Sequence, residues 1–524
     1  MTETEKYVFG ANIIENLTTG MYQDSRVIFR EYIQNGTDSI DQAVADGILQ
    51  QNEGKIEIWL KPQSNRTVVV RDNGTGISSV NFRKILCGIG NSEKQIGKNR
   101  GFRGIGRLCG LAYCKELIFQ TKAKGEKTVS VMRFNAEEMR ALITDHNKGN
   151  KKEAEAVLKQ VGKFEKSESE DEVDEHYFQV TLKNVNDENT DLLDDRAIKE
   201  YLSFVAPIPY LATFPLRKKI KDYARRKGQK IEEYKIKLDG EELFKGYTEK
   251  IKGKNDTITG EVFDIAFKDF VDESGNLLAW LWVGISKFEG ALPKINSMRS
   301  IRLRKHNIQI GNADTLQKFF IEDRGHSYFV GEIFAVTDNL IPNSQRDYFN
   351  ENQTRQEFQR LLEEYFQNEL QKVYKSASRV NSGIKKINAY EDKKAIFTAK
   401  EKNGKFINEK QKNEERAELE ELREKAEEAN KDIAKIEGKA KEDGGFVAHV
   451  IEKIKEDSKV KPTPLPPMKP IQKKRTDILG NLTSREKKIV ERVYETIISH
   501  FDGCETADNL IDEIAKALKK GFRK

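Results

Sequence analysis

Apolar positions recur at two periods along this chain, and the changes of period divide it. Over residues 5–205 helical spacing alternates with strand-like runs. Lys55-Ile-Glu-Ile-Trp-Leu60 and Arg66-Thr-Val-Val-Val-Arg71 are two of these, and the turn at 62–65 predicts that they form a hairpin. Residues 150–175 are densely charged and end in Ser-Glu-Asp-Glu-Val-Asp-Glu175, which predicts a mobile surface insertion. Prolines 207, 209 and 215 then break the pattern. Residues 217–230 carry eight Lys or Arg against one Asp, as a charged inter-domain linker does. A second domain is expected from near Glu232 to near Asn343. In it Leu277-Leu-Ala-Trp-Leu-Trp-Val283 is apolar throughout, and Ser300-Ile-Arg-Leu-Arg-Lys305 alternates like a half-buried strand.

Further on the period is helical. Phe358, Leu361, Leu362, Tyr365 and Val373 share one face, predicting a long helix that leaves the second domain. Leu419, Leu422, Ala426, Ala429, Ile433, Ile436 and Ala440 step by threes and fours, the spacing of a coiled-coil seam. That seam either dimerises, folds back as an antiparallel hairpin, or packs on its own domain. Residues 459–475 hold five of the eleven prolines among lysines, which predicts a semi-extended linker. Thr483 and Glu486 make a capping-box pattern ahead of Ile489, Val493, Ile497 and Phe501, and a second amphipathic stretch follows at 507–518. These read as a small, tethered, protein-binding module. The expected divisions are therefore 1–205, 206–350, 351–458, 459–478 and 479–524.

Composition narrows the function classes. At ~100–200 residues per domain, 524 residues hold roughly three globular units with connectors. Charged residues reach 34%, above the ~25% of an average protein, so long solvated surfaces are expected. With 91 Lys+Arg against 85 Asp+Glu the net charge is only +6, which permits a local basic patch without advertising a nucleic-acid binder. The longest apolar run, 277–285, is interrupted by Gly284 and far shorter than the ~20 residues of a membrane span. No membrane partner and a cytoplasmic location are expected. Cys87, Cys109, Cys114 and Cys504 lack CxxC spacing and are expected as reduced, buried thiols. No G-x-x-x-x-G-K-[ST] occurs, so any nucleotide is held without a P-loop.

Three segments carry candidate chemistry. In Arg30-Glu-Tyr-Ile-Gln-Asn-Gly-Thr-Asp38, Glu31, Asn35 and Asp38 lie on one helix face, with Val27, Ile28 and Ile33 as apolar padding opposite. A buried polar stripe needs something polar to meet, and a hydrated metal would satisfy it. Asp72-Asn-Gly-Thr-Gly-Ile77 puts a carboxylate at a strand end, before two glycines that let a flat group approach the backbone. Arg100-Gly-Phe-Arg-Gly-Ile-Gly106 is a glycine loop running into a helical pattern, with backbone N–H groups suited to phosphate.

In this order and spacing the three segments resemble the ATP-binding fold shared by gyrase, HtpG-type chaperones, histidine kinases and MutL. Tyr7-Val-Phe-Gly, the stretch from Leu17 to Ala43, and Leu192-Leu-Asp-Asp-Arg-Ala-Ile-Lys-Glu-Tyr201 resemble HtpG-type heat-shock chaperones. Leu340-Ile-Pro-Asn-Ser-Gln-Arg346 resembles the loop by which their middle domain delivers an arginine to ATP. Gly88-Ile-Gly-Asn-Ser-Glu-Lys94 is more similar to MutL, and the order coiled coil, linker, helical module is similar to MORC ATPases. The implied fold is α+β: a GHKL (Bergerat) α/β sandwich, a β-α-β transducer-like middle domain, a helical coiled-coil region and a C-terminal helical module.

The resemblance also implies roles. Glu31 would be the general base, Asn35 the protein ligand of Mg2+, and Asp72 the acceptor of the adenine amino group. Gly74, Gly76 and Ile77 would line the base, with Asp38 beside the site and Thr181 reaching the adenine through water. Gly101, Gly104 and Gly106 would cradle phosphate, and a lid at 87–100 would bring Ser92 and Lys94 over the nucleotide. Arg346 would reach the γ-phosphate as an arginine finger, with Lys94 a lesser candidate. The implied ligands are ATP and Mg2+, and the implied assembly is a homodimer. Its work would be chaperone-like remodelling of a protein client through exchange of residues 1–9 or, alternatively, a MORC- or MutL-like clamp on DNA, with a bacterial defence role conceivable from gene context alone.

Overall fold

The computed structural model describes residues 7–18, 20, 21, 24–91, 100, 101, 104–443, 445–456, 461–480, 482–501 and 505–521. The chain divides into two units, 1–286 with 291–371, and 287–290 with 372–524. The architecture is α+β with a helical C-terminal region.

In the first unit, period-two alternation becomes sheet register. β1 (Lys55–Lys61) and β2 (Thr67–Asp72) form the expected antiparallel hairpin, pairing Ile56 with Asp72, Ile58 with Val70 and Leu60 with Val68. They join β3 (Cys114–Lys122), β4 (Thr128–Asn135), β5 (Gly162–Glu168), β6 (Tyr177–Val185), β7 (Lys235–Leu238) and β8 (Glu241–Glu242) in one sheet of order β5-β4-β3-β6-β2-β1-β7-β8. Ile56, Ile58, Val68, Val70, Val180 and Leu182 are buried on one face, under the Val27–Ala45 helix. Ile28, Phe29 and Ile33 fill the gap from the helix side, each worth about 1.5–3 kcal/mol of transfer energy. Gly36 permits the close approach, since a Cβ there would stand 3.0 Å from Ile56 and 3.1 Å from Asp72.

Two expectations change here. Residues 150–175 are not a mobile insertion: they supply the Ala154–Val161 helix, which buries Val157 and Val161, and the edge strand β5. Charges suit an edge because they discourage pairing with another chain. Beyond β5 the buried Lys122 ammonium donates to the carbonyls of Glu172, Val173 and Glu175, fixing the acidic turn. The first sheet also reaches past residue 205, because β7 pairs in parallel with β1.

The 217–230 stretch is not a linker either. Arg217–Arg226 is a helix that buries Ile220 and Ala224. After the ribbon β9 (Lys250–Lys252) and β10 (Ile258–Glu261) comes a five-stranded sheet of β11 (Asp264–Val271), β12 (Leu277–Ile285), β13 (Ser300–Lys305), β14 (Ile308–Ile310) and β15 (Val330–Ala335). Its order is β11-β12-β15-β13-β14, with β13 and β15 parallel. β13 is buried along its whole length, unlike the half-buried strand expected: Arg304 and Lys245 share the buried carboxylate of Glu332. The Gln353–Tyr365 helix follows, and a single π turn, Phe366–Leu370, leads into the next helix.

In the second unit the seam folds back. Helices Gln371–Lys402 and Glu409–Asp443 run antiparallel, with Lys393 paired to Glu418, Lys400 to Glu415 and Lys412 to Glu401. Leu419, Ala426, Ala429, Ile433 and Ala440 are buried in that hairpin or under the Gly445–Glu456 helix. The proline-rich stretch runs along it, with Thr463 and Ile471 bonded to Glu391 and Glu409. The Ser484–His500 and Glu505–Gly521 helices close around Ile407, Tyr494 and Ile511.

Candidate active site

The polar stripe of the Val27–Ala45 helix faces the loop at 100–106. Glu31 and Asp38 are 5% and 4% exposed, and Asn35 is half-buried between them. Asp38 has a different task from the one its position suggested. Its two oxygens accept the backbone N–H groups of Arg100 and Gly101, both at 2.9 Å, so it anchors the loop. The Arg100 guanidinium extends the anchor to Asp41 at 2.7 Å and to Glu232 and the Tyr234 hydroxyl at 2.6 Å. Burial alone would raise the Glu232 pKa, but His306 and Arg100 hold it down to about 2.

The glycines of the loop are dictated by contact. A Cβ on Gly106 would lie 2.2 Å from Glu31 Oε2, and one on Gly101 2.6 Å from Asn35 Oδ1. Gly104 has φ +71°, a backbone open to glycine. Tyr32, one residue past Glu31, accepts the Gly110 N–H at 3.1 Å and donates to the Arg107 carbonyl at 3.3 Å, locking the loop's helical exit. A narrow cleft remains, bounded by Glu31, Asn35, the glycines, Ser344 and Arg346.

The second motif closes on itself. Gly74 N–H donates to Asp72 Oδ1 at 2.9 Å, and a Cβ on Gly74 would overlap Ser39 Oγ at 2.1 Å. Gly76 has φ +62° and lies so close to the Lys122 carbonyl that a Cβ would be 2.1 Å away. Ile77 N–H donates to Thr121 Oγ1 at 2.9 Å, and that hydroxyl donates to the Tyr177 carbonyl. His176 Nδ1 meets the Gly74 carbonyl.

Thr181 does not join this group. Asp72 is opposite Phe178 and Val69 is opposite Thr181, so strand alternation puts Thr181 on the sheet face away from Asp72. Its hydroxyl accepts from Gln179 there. Ser92 and Lys94 lie outside the described residues, as does most of the expected lid. The thiol expectation divides as well: Cys109 and Cys114 are buried, burial pushing Cys114 up to about 12, whereas Cys87 is exposed and Cys504 lies outside the described residues.

Arg346 comes from the second sheet's side of the unit, on a loop closed by bridging of Pro342 with Phe349. It takes φ +56°, a conformation an arginine rarely adopts, and its carbonyl is held by Gly311 N–H at 2.7 Å. Its Nε stands 3.0 Å from Glu31 Oε1, and its Nη2 donates to the Arg100 carbonyl at 2.9 Å. Arg30 adds a bond from Nη2 to the Gln345 carbonyl at 3.2 Å. A buried carboxylate, a row of close-packed glycines and a guanidinium thus converge. Chemically, such a combination is suited to a phosphate chain and to a water held against its end. Sequence reasoning overlooked Ser39, Arg100, Thr121 and His176. Only Ser39, one turn beyond Asn35, had a signal in the spacing.

Residues 24–168 match the family described as histidine kinase-, DNA gyrase B-, and HSP90-like ATPase. No curated protein matches the chain. Among the described residues, no helix is long and apolar enough to cross a membrane.

Proposed function

From the premise that residues 24–168 are a GHKL-type ATPase domain, we propose that the chain is an ATP-driven conformational clamp that acts on a protein partner. The observation that carries this is the 3.0 Å approach of Arg346 to Glu31. A residue delivered with the second sheet touches the base of the first, so filling the cleft with a γ-phosphate must alter how the two are held. In this reading Glu31 orients the attacking water and Arg346 exchanges its carboxylate partner for the phosphate. Asp72 accepts the adenine amino group. Gly74 and Gly76 allow the base against the backbone, and the N–H groups of Gly104 and Gly106 hold the phosphates, that of Gly101 being bonded to Asp38.

Asn35 is the protein ligand for Mg2+. Among the described residues no group of three or more His, Cys, Asp or Glu gathers to hold a metal. One amide oxygen beside the phosphate cradle suits an ion that takes the rest of its shell from phosphate and water. When bound, it neutralises phosphate charge.

The protein-directed reading is preferred to a DNA clamp because half of the eight basic residues of 217–230 are engaged in ion pairs within the chain. Lys219 pairs with Asp264, Lys221 with Glu233, Arg225 with Asp222 and Lys227 with Asp269. A homodimer is expected by analogy with related ATPases, and its interface is not the 419–440 seam, which is satisfied within the chain.

The test is phosphate release from ATP with and without long duplex DNA, at low and moderate salt, with Glu31→Ala as the blank. Glu31-dependent release that ignores DNA supports the proposal. Stimulation by DNA that fades with salt replaces it with the DNA clamp, because phosphate contacts release counterions. No release from either protein removes hydrolysis from the assignment.

A further inference from the structure

A second cavity, of about 640 Å3, opens on the other side of Arg346 from the cleft. It lies between the start of the Val27–Ala45 helix, the Asp195–Val205 helix and β13, and its volume is within the range of small-molecule sites. Most of the charged residues around it are sorted by depth, the exception being the half-buried Arg26 paired with Asp24. Arg30, Arg302 and Arg346 are 6%, 7% and 5% exposed, while Asp24, Glu200 and Asp347 are at exposed positions. The floor is cationic and the carboxylates are at the rim.

These arginines are incompletely matched. Arg30 and Arg346 share one buried carboxylate, Glu31, with Arg30 Nε 3.8 Å from it, too far for a hydrogen bond. Arg302 donates from Nη1 to Gln309 at 2.9 Å and from Nη2 to the Ser297 carbonyl, and its guanidinium stacks 4.3 Å from the centre of the Phe204 ring. Behind it Arg304 and Lys245 share Glu332. Three buried arginines therefore border the cavity, and the one buried carboxylate beside them, Glu31, is shared by two. The Nε atoms of both Arg30 and Arg302 are buried with no hydrogen-bond partner among the described residues. An oxyanion in the cavity balances the charge that these arginines leave unmatched.

We propose that this cavity binds a phosphate group, held between Arg30 of the ATPase domain and Arg302 of the second sheet, as a site separate from the nucleotide cleft. A ligand bridging these two arginines fixes the arrangement of the two sheets and draws Arg30 from Glu31, so its occupancy modulates the neighbouring site. The phosphate group has two sources: orthophosphate released next door past Arg346, or an organic phosphate whose body rests on Val27, Phe204 and Val205.

Calorimetry decides this on the full chain saturated with a non-hydrolysable ATP analogue, titrated with orthophosphate and with phenyl phosphate. One equivalent binding despite the filled cleft, weakened at least tenfold by Arg302→Gln with an unchanged melting temperature, supports the site. Tighter binding of phenyl phosphate supports the organic source, and equal binding the released product. No binding of either probe, or equal affinity in Arg302→Gln, overturns the proposal. Should that variant not fold, Arg302→Lys removes the two-pronged donor while keeping the charge, and unchanged affinity there overturns it as well. Failure of the ATP analogue to bind counts against the ATPase reading alone. The phosphate titration of the nucleotide-free chain, wild type against Arg302→Gln, then decides the cavity.

Discussion

Glu31 Oε1 and Arg346 Nε face each other at 3.0 Å, both side chains about 6% exposed, across the boundary between the two sheets of the first unit. The pair is an ion pair that leaves Glu31 Oε1 without an aligned hydrogen bond. Each residue thus covers the other's charge, and Glu31 Oε1 keeps unused acceptor capacity. Replacing Arg346 by Met should lower the rate of ATP hydrolysis by about 10³, the usual worth of an arginine finger, with little change in nucleotide affinity. Steady-state phosphate release and equilibrium binding of a fluorescent ATP analogue check the two halves. A fall in affinity with an unchanged rate would make Arg346 a binding residue only.

Gly106 tests the same carboxylate from its other side. A Cβ at this position would be 2.2 Å from Glu31 Oε2, so Gly106→Ala must displace the carboxylate or the loop. Because a misplacement near 1 Å costs roughly 10²-fold in rate, hydrolysis should fall by about that factor. Gly125→Ala is the control: it has no heavy atom within 4 Å of the added methyl, and its φ of +81° strains the backbone away from the site. It should lose some stability and leave the rate per folded molecule unchanged.

The three motifs were legible because their glycines answer a close contact that only glycine allows or a left-handed φ that favours it, and the carboxylates sit at fixed helical or strand-end positions. Other features depended on partners remote in sequence. Arg302 and Arg304 alternate with Ile301 and Leu303 as on a half-buried strand, and their burial depends on partners remote in sequence, Phe204 for Arg302 and Glu332 on β15 for Arg304. The 217–230 stretch reads as a linker because Asp264 and Asp269, the partners of Lys219 and Lys227, lie on β11. Thr181 was misplaced for a simpler reason: the face of a strand residue is set by register, and a shift of one reverses it.

Thr181→Val should therefore leave ATP affinity unchanged. Thr121→Val, which removes the hydroxyl bonded to Ile77 N–H and the Tyr177 carbonyl, should weaken binding several-fold, since a net hydrogen bond is worth about 0.5–1.5 kcal/mol. Asp72→Asn should weaken it more, and isothermal titration of the three variants ranks them. Equal losses for Thr181→Val and Thr121→Val would contradict the register.

The buried Glu332 makes the second sheet acid-sensitive. Burial would raise its pKa, but Arg304 and Lys245 hold it down to about 2. A depressed folded-state value gives stability that is complete above the unfolded carboxylate range, near 4.3, and is lost as pH falls through it towards 2. Lys245 acts in the same direction. Burial and the neighbouring Arg304 lower it to about 7, so between about 7 and the unfolded value near 10.4 the unfolded chain binds more protons and stability rises with pH. Urea unfolding at pH 3, 5, 7 and 9 should show both slopes. In Glu332→Gln the acid slope should flatten, with a loss of about 3–5 kcal/mol at pH 7 from the unpaired cations. An acid slope unchanged in that variant would assign it to other carboxylates.

Arg475 makes the C-terminal helices part of the second unit rather than a tethered module. It is 2% exposed, donates to Asp508 at 2.5 Å and Asp512 at 2.7 Å, and lies at the end of the proline-rich stretch. Lys405, in the hairpin turn, reaches Asp512 at 3.2 Å, and Asn408 holds Glu495, so turn, linker and helices meet at one place. Removing the guanidinium leaves two half-exposed carboxylates and a small apolar cluster of Ile407, Tyr494 and Ile511 as the remaining attachment. Arg475→Ala should therefore lower amide protection across 484–521 while leaving protection of the Val27–Ala45 helix unchanged. Hydrogen exchange read by mass spectrometry separates the segments. Loss of protection in both would mean that the variant destabilises the whole chain, and no loss in either would leave the attachment to the apolar cluster.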